Sequence, residues 1–382
     1  MKIGKGNLRW VVRICILSFS FYLIWLTKYP LNTKIPVDLF ARISPLNAVI
    51  SILSSKKLLL WMIPGLCFLS LSFFLGRYIC RWVCPLGTLL ELCRKVLQRR
   101  KWRLKLRRPL VLGYVFLGLV VGMAILSIPT WNVFEPFAIL LHPFASPGRI
   151  ISLSFLLLLI LLSTVFPNLW CSKVCPMGAL QSLMRGLNPG KKIRFDASKR
   201  EFLVGMSAGL CAAFFLKKID LRRYDPRLLR PPGALPEEEF TGRCVRCGEC
   251  MKVCVNQCLL PCFLEAGFEG FWTPRLIPRK APCVLCMLCG EVCPSGAIEP
   301  LKEVRQVRIG VAKVDEDRCI AWTEGKLCLV CQEYCPTSAI LSDTMNRPSV
   351  ISGVCVGCGQ CEHNCPVDGE AAIIVTKLPE GV

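Results

Sequence analysis

From residue 244 onward one cysteine spacing occurs four times. Cys244-x2-Cys247-x2-Cys250-x3-Cys254 comes first, then Cys283-x2-Cys286-x2-Cys289-x3-Cys293-Pro. Cys319-x8-Cys328-x2-Cys331-x3-Cys335-Pro and Cys355-x2-Cys358-x2-Cys361-x3-Cys365-Pro follow. Three thiolates in a tight loop turn towards one point, and the fourth, usually before proline, ligates a neighbouring cluster; this is the bacterial ferredoxin spacing. Soft thiolates favour iron–sulfur or zinc. A zinc ribbon would use pairs of CxxC, not triplets with a trailing Cys-Pro, and a disulfide framework rarely repeats one spacing four times. The sixteen cysteines therefore predict four [4Fe–4S] clusters, without which this region should not fold. Cys258 and Cys262 in "CVNQCLLPC" are left over, and one could replace Cys254, which precedes Val255 where proline is usual.

A second pattern is CxxxCP, present as Cys80-Arg-Trp-Val-Cys84-Pro and again at Cys171 and Cys175. Each pair lies one helical turn apart beside an apolar run. Together the four thiols could complete one further cluster; redox-active thiols and plain packing are the alternatives. Cys15, Cys67, Cys93 and Cys211 have no partner spacing and read as small buried apolar residues.

The elements that must hold these groups differ between the two halves. The chain has 382 residues, 53% of them hydrophobic, which is too apolar and too long for one soluble domain. Eight cysteines precede residue 240 and eighteen follow it. Residues 1 to 236 carry 34 Lys and Arg against 7 acids, and residues 237 to 382 carry 14 against 19. A basic excess beside apolar segments reports orientation and lipid contact, so nucleic acid is set aside. Apolar stretches at 10–27, 58–76, 109–128, 150–167 and, more weakly, 202–216 are expected to span a membrane. Lys2, Lys5 and Arg9 place the amino terminus on the cytoplasmic side of the cytoplasmic membrane, and the basic connections 94–108 and 185–200 fall on the same side. Both CxxxCP elements then face the cytoplasm, and residues after the fifth span are extracytoplasmic.

The fold expected is an α-helical membrane domain of about five spans, followed by a small α+β ferredoxin-like domain. The latter would be two bicluster units whose core is largely cofactor. The division is residues 1–200 (polytopic membrane domain), 201–236 (fifth span and linker) and 237–382 (four-motif ferredoxin domain). The fifth segment, "SKREFLVGMSAGLCAAFFL", is similar to a twin-arginine export signal with Lys199 in place of the first arginine. Only His142 and His363 exist, so haem with paired axial histidines is not expected. Glu135 and His142 share an aromatic outer loop; the pair reads as an ordinary interfacial one, with proton acceptance from a quinol as the sharper alternative. No phosphate-binding or dinucleotide loop is present, so a quinone site is the one substrate pocket to expect.

The first 200 residues resemble the NapH/MauN type of polytopic iron–sulfur membrane protein, through the two CxxxCP elements after apolar segments. Residues 196–382 resemble the NapG/MauM type of exported ferredoxin, through "SKREFL", "GRCVRCGECMKVC", "TPRLIPR" and "CGEVCPSGAI". The resemblance implies a fused, membrane-anchored polyferredoxin carrying electrons between the quinone pool, or a cytoplasmic-face donor, and an extracytoplasmic redox partner. An assembly factor supplying electrons for metalloenzyme maturation is the alternative. It also implies that the first motif pairs with the fourth and the second with the third. The eight-residue gap after Cys319 departs from the family pattern. A cluster at the CxxxCP pair would lie across the bilayer from the other four and would need quinone as an intermediate.

Overall fold

The computed structural model describes residues 5–27, 31, 36–57, 59–97, 111–145, 149–166, 169–186, 199–218, 225, 227–263 and 265–377. Lys2 and most of both basic connections lie outside them.

The first half is helical. In chain order it contains α1 (Lys5–Leu26), α2 (Leu39–Ile43), α3 (Pro45–Ser55), α4 (Ile63–Leu75), α5 (Tyr78–Val83), α6 (Pro85–Leu97), α7 (Val111–Ile125), α8 (Pro136–Leu141), α9 (Arg149–Val165), α10 (Pro176–Gly186) and α11 (Lys199–Lys218). Among the described residues one helix, Leu8–Leu26, is by length and composition long and apolar enough to cross a membrane. The other apolar helices, at 45–55, 60–75, 111–125, 150–165 and 202–216, have 10–17 residues. The expectation of five full spans is thus met by one full-length candidate and a set of shorter helices. Within the 58–76 run Pro64 sits in the first turn of α4 and Gly76 closes it, while Pro85 and Pro176 start the helices that follow the runs.

A pairing that the hydropathy pattern hid joins α7 and α11. Gly118 and Gly122 face Gly205, Gly209 and Ala213, so closely that a Cβ on Gly118 would stand 2.6 Å from the Met206 carbonyl oxygen. Small residues four apart let two backbones approach to van der Waals contact, which is the means by which apolar helices associate without a hydrophobic driving force. The weaker fifth segment is therefore an integral wall of the bundle. Buried Leu46, Ile50, Leu86, Tyr114 and Leu117 fill the centre between α3, α6 and α7.

The second half is loop-rich. Its helices α12 (Glu237–Arg243), α13 (Glu249–Val253), α14 (Leu288–Glu291), α15 (Ile320–Thr323), α16 (Val330–Glu333) and α17 (Gln360–Asn364) are short. Its strands form three antiparallel pairs: β1 (Leu259–Pro261) with β2 (Pro274–Leu276), β3 (Val311–Val314) with β6 (Ile373–Thr376), and β4 (Ile340–Ser342) with β5 (Pro348–Val350). Two-stranded ribbons this short bury too little to stand alone. The core instead draws in the cysteines themselves, with Cys244, Cys250, Cys283, Cys289, Cys358 and Cys361 buried beside Phe240, Met251 and Trp272.

The halves are docked. Asn132 Nδ2 donates to the Val245 carbonyl at 2.8 Å, Thr130 Oγ1 to Phe268 O at 3.1 Å, and Lys57 pairs with Glu239 at 3.0 Å. Val37 packs on Val253, Leu288 and Val292. The ferredoxin-like half therefore sits on the face made by residues 37–62 and 127–145, at the carboxy-terminal end of α1.

Candidate metal centres

Each cysteine of the four repeats stands with three others. Cys244, Cys247 and Cys250 share a cavity with Cys293. Cys319, Cys328 and Cys331 do so with Cys365, and Cys355, Cys358 and Cys361 with Cys335. Cys283, Cys286 and Cys289 gather beside Cys254 and Cys258. The doubtful Cys319 thus takes its place in the third set. The first motif exchanges its trailing cysteine with the second, and the third with the fourth, which corrects the expected pairing of first with fourth and second with third. Consecutive repeats need the shorter loop closure, and the β1–β2 hairpin folds the first two motifs onto each other.

Among the described residues no group of three or more His, Cys, Asp or Glu side chains converges tightly enough for a single metal ion. The thiols ring small cavities instead, with backbone N–H groups turned to sulfur: Leu285 to Cys283 at 3.4 Å, Ile298 to Cys293 at 3.4 Å, Ala339 to Cys335 at 3.2 Å. A four-sulfur ring with amide donors fits a polynuclear cluster, whose sulfides and thiolates accept such bonds.

The repeats also touch in a fixed order. Cys250 lies near Cys289, joining the first and second sets. The Cys283 N–H donates to Cys358 O at 2.9 Å, joining second and fourth. Cys361 lies near Cys331, joining fourth and third. The first set packs against the helical half, and the third set has exposed Leu327 and Tyr334 around it.

Cys80, Cys84, Cys171 and Cys175 line one cavity of about 430 Å³ at the amino-terminal end of α1. Each CxxxCP element ends one helical segment and starts another, α5 to α6 and a π-turn at Trp170–Val174 to α10. Pro85 and Pro176 occupy first helical turns, so free N–H groups face the thiols; Gly87 N–H donates to Cys84 Sγ at 3.4 Å. Gly87 also leaves the space in which a Cβ would touch Cys171 Sγ at 3.5 Å. Arg77 bonds Gly178 O and Ser172 O and so ties the two elements together. Buried Arg13 bonds Thr88, the Gly87 carbonyl and Glu91. The sequence signal for Arg13 was a charge placed within the first apolar run. By contrast Cys15, Cys67 and Cys211 are exposed on helix faces, not buried as expected.

Between this cavity and the first cysteine set stands α8. Glu135 caps it, accepting from Phe137 N, Ala138 N and Ser44 Oγ at 2.7, 2.9 and 2.9 Å, and Pro136 lines the cavity. At its other end His142 Nε2 bonds Arg246 O at 2.8 Å and its ring lies tilted against that of Trp272, with centroids 4.9 Å apart. Both side chains are buried, so this is no interfacial pair. Burial pushes Glu135 up to about 7 and holds His142 down to about 4. The insert 263–280 seats Trp272 against the first set, and Arg246 is fully enclosed, bonding Phe271 O, Cys244 O and Glu269 O. His363 is exposed and bonds Arg279 O.

The family described as "4Fe-4S binding domain" matches residues 58–105 and 149–195, the two segments that contain the CxxxCP elements. "4Fe-4S dicluster domain" matches 282–339 and a further "4Fe-4S binding domain" matches 355–368. The dicluster match runs from the second motif through the third, although the thiols of those motifs line different cavities. The chain is 35% identical to the methylamine utilization ferredoxin-type protein MauM of Methylorubrum extorquens over 46% of this chain and 83% of that one. It is 35% identical to the ferredoxin-type protein NapG of Escherichia coli over 39% and 71%. It is 30% identical to the ferredoxin-type protein NapF of Escherichia coli over 38% and 84%. The chain belongs to the MauM/NapG family of ferredoxin-type proteins. Membership makes it an iron–sulfur electron-transfer protein of the polyferredoxin kind, with redox partners. No solved structure matches it.

Proposed function

We propose that this chain is a membrane-anchored polyferredoxin in which a NapH/MauN-type helical half is fused to a NapG/MauM-type ferredoxin half. The sixteen repeat cysteines would hold four [4Fe–4S] clusters, and Cys80, Cys84, Cys171 and Cys175 a fifth. When bound, such clusters supply one-electron carriers. The chain's own contribution is to set them in series, exclude water and hydrogen-bond their sulfurs. Electrons would pass between the quinone pool, or a donor on the cytoplasmic face, and an extracytoplasmic redox partner near the third cysteine set.

The observation that carries this reading is the position of α8. Pro136 lines the CxxxCP cavity and His142 touches the first cysteine loop, six residues later. At ~1.5 Å rise per residue the helix covers only about 9 Å. In this reading the bilayer-wide gap expected from the sequence is replaced by one short helix between the cavity wall and the first cysteine loop, because the outer loop folds inward. Quinone would then be the donor or acceptor at the helical half and not a carrier between the halves. Exposed Trp25, Phe74, Leu157, Leu161, Phe214 and Phe215 give the bundle an apolar outer surface of the kind that lipid covers.

The test is anaerobic purification of the full chain in detergent, with iron and acid-labile sulfide measured and quinol analogues added. Five clusters per chain, reduced by a quinol analogue, are expected. Zinc without sulfide, or clusters inert to both quinols and low-potential donors, would overturn the reading.

A further inference from the structure

Cys258 is the thiol that the four repeats do not require, and its position is defined by the repeats themselves. Aligned on the trailing cysteine, "CVNQCL" stands beside "CPSGAI" and "CPTSAI", so that Cys258 occupies the place of Ala297 and Ala339. In the third motif that alanine's N–H donates to Cys335 Sγ at 3.2 Å, and in the second the next residue, Ile298, donates to Cys293 Sγ at 3.4 Å. The place therefore lies at or beside the backbone that meets the trailing cysteine in the second and third repeats. In the first repeat it carries a thiol, and Val255 replaces the proline that stiffens the other three turns.

The consequence is visible in the contacts. Cys258 Sγ lies 3.4 Å from Cys254 Sγ and also hydrogen-bonds the Cys283 thiol. Cys258 is 4% exposed, whereas Cys254 is half-buried. Five thiols thus surround the second centre, where each of the other centres has four. Cys262 is not among them: it is buried against Leu228 and Ala266 and receives Arg230 Nη1 at 3.5 Å.

We propose that Cys254 and Cys258 are interchangeable fourth ligands of the second centre. The inference rests on the reading of these sites as [4Fe–4S] centres. Exchange would break one iron–thiolate bond and form another. The proton lost by the incoming Cys258 thiol passes to the departing Cys254 thiolate across their 3.4 Å contact, and no electron is gained or lost. The second centre adjoins both the first and the fourth, so a spare ligand sits where loss of a cluster would cut the series in two.

Full-length wild type, Cys254→Ala, Cys258→Ala and the double variant, purified anaerobically, would be compared for iron and sulfide per chain and for electron paramagnetic resonance after reduction. Cys258→Ala restores the side chain of the two sibling repeats and so tests the ligand without overpacking. Both single variants should keep the wild-type iron content, with the signal of one cluster altered in Cys254→Ala, and the double variant should lose one cluster's worth of iron and sulfide. Loss of that cluster in Cys254→Ala, with the isosteric Cys254→Ser losing it too, would overturn the proposal, and so would full retention in the double variant. Wild type without sulfide would instead sink the cluster reading itself, before any variant is compared.

Discussion

His142 Nε2 stands 2.8 Å from the carbonyl oxygen of Arg246, a bond that ties the end of α8 to the loop of the first cysteine set. It joins two halves whose compositions differ in charge, apolarity and cysteine content, at the point where their candidate centres come nearest.

Replacing His142 with alanine removes this bond and the ring contact with Trp272, leaving a buried carbonyl without its donor. A lost buried hydrogen bond of this kind costs about 1–3 kcal/mol. His142→Ala should therefore be cleaved faster by protease in the connection 219–227 while keeping its iron. Unchanged cleavage would show that the docking rests on Asn132, Thr130, Lys57 and the packing of Val37.

Acid should loosen the same contact. Burial holds the His142 pKa at about 4, below its ordinary 6.5, so its contribution to docking is complete above 6.5 and is lost as pH falls towards 4. At ~1.4 kcal/mol per unit the whole shift amounts to about 3 kcal/mol. Glu135, raised to about 7 by burial at the other end of α8, bonds Ser44, Phe137 and Ala138 within the helical half, so its titration bears on that half and not on the docking contact. Proteolysis of the docked halves should accelerate between pH 6.5 and 5 in wild type, and His142→Ala should show no such acid limb.

Gly209 marks the tightest approach of α11 to α7, where any Cβ would overlap the Val115 carbonyl oxygen. Gly209→Leu must separate the two helices, at a cost of about 1–3 kcal/mol or more. A lower unfolding midpoint in detergent is expected, with a milder drop for Leu203→Ala on the exposed face. Equal effects would mean that the glycine faces carry no special weight.

The order of the cysteine sets predicts an asymmetry. Cys331→Ala at the third set should leave reduction of the remaining centres by a quinol analogue intact, and slow delivery to an external acceptor by more than about tenfold. Cys250→Ala at the first set should prevent reduction of everything beyond it from the helical side. Stopped-flow absorbance at both ends distinguishes the two; equal behaviour would exclude a linear series.

The sequence by itself picked out the candidate thiols. Spacing is a local property, and a CxxC turn can aim thiols at one point whatever surrounds it, so the repeats, the CxxxCP pair and the contrast between the halves were legible in the chain. The partnership of distant cysteines was not. Cys293 joins Cys244 and Cys335 joins Cys355 because hairpin and strand pairing bring them together, and no spacing encodes that. Hydropathy placed the apolar helices close to their observed bounds, at 60–75, 111–125, 150–165 and 202–216, but an apolar run of that length does not by itself say whether the helix crosses a membrane. The glycine seam between α7 and α11 was present in the sequence as small residues four apart, but it acquires meaning only when the two helices are adjacent. Tertiary structure alone decided that α8 folds inward, burying Glu135 and His142 and bringing the CxxxCP cavity within one short helix of the first ferredoxin loop. Burial and proximity depend on which elements pack together, and a polar residue in a loop carries no mark of what will later cover it.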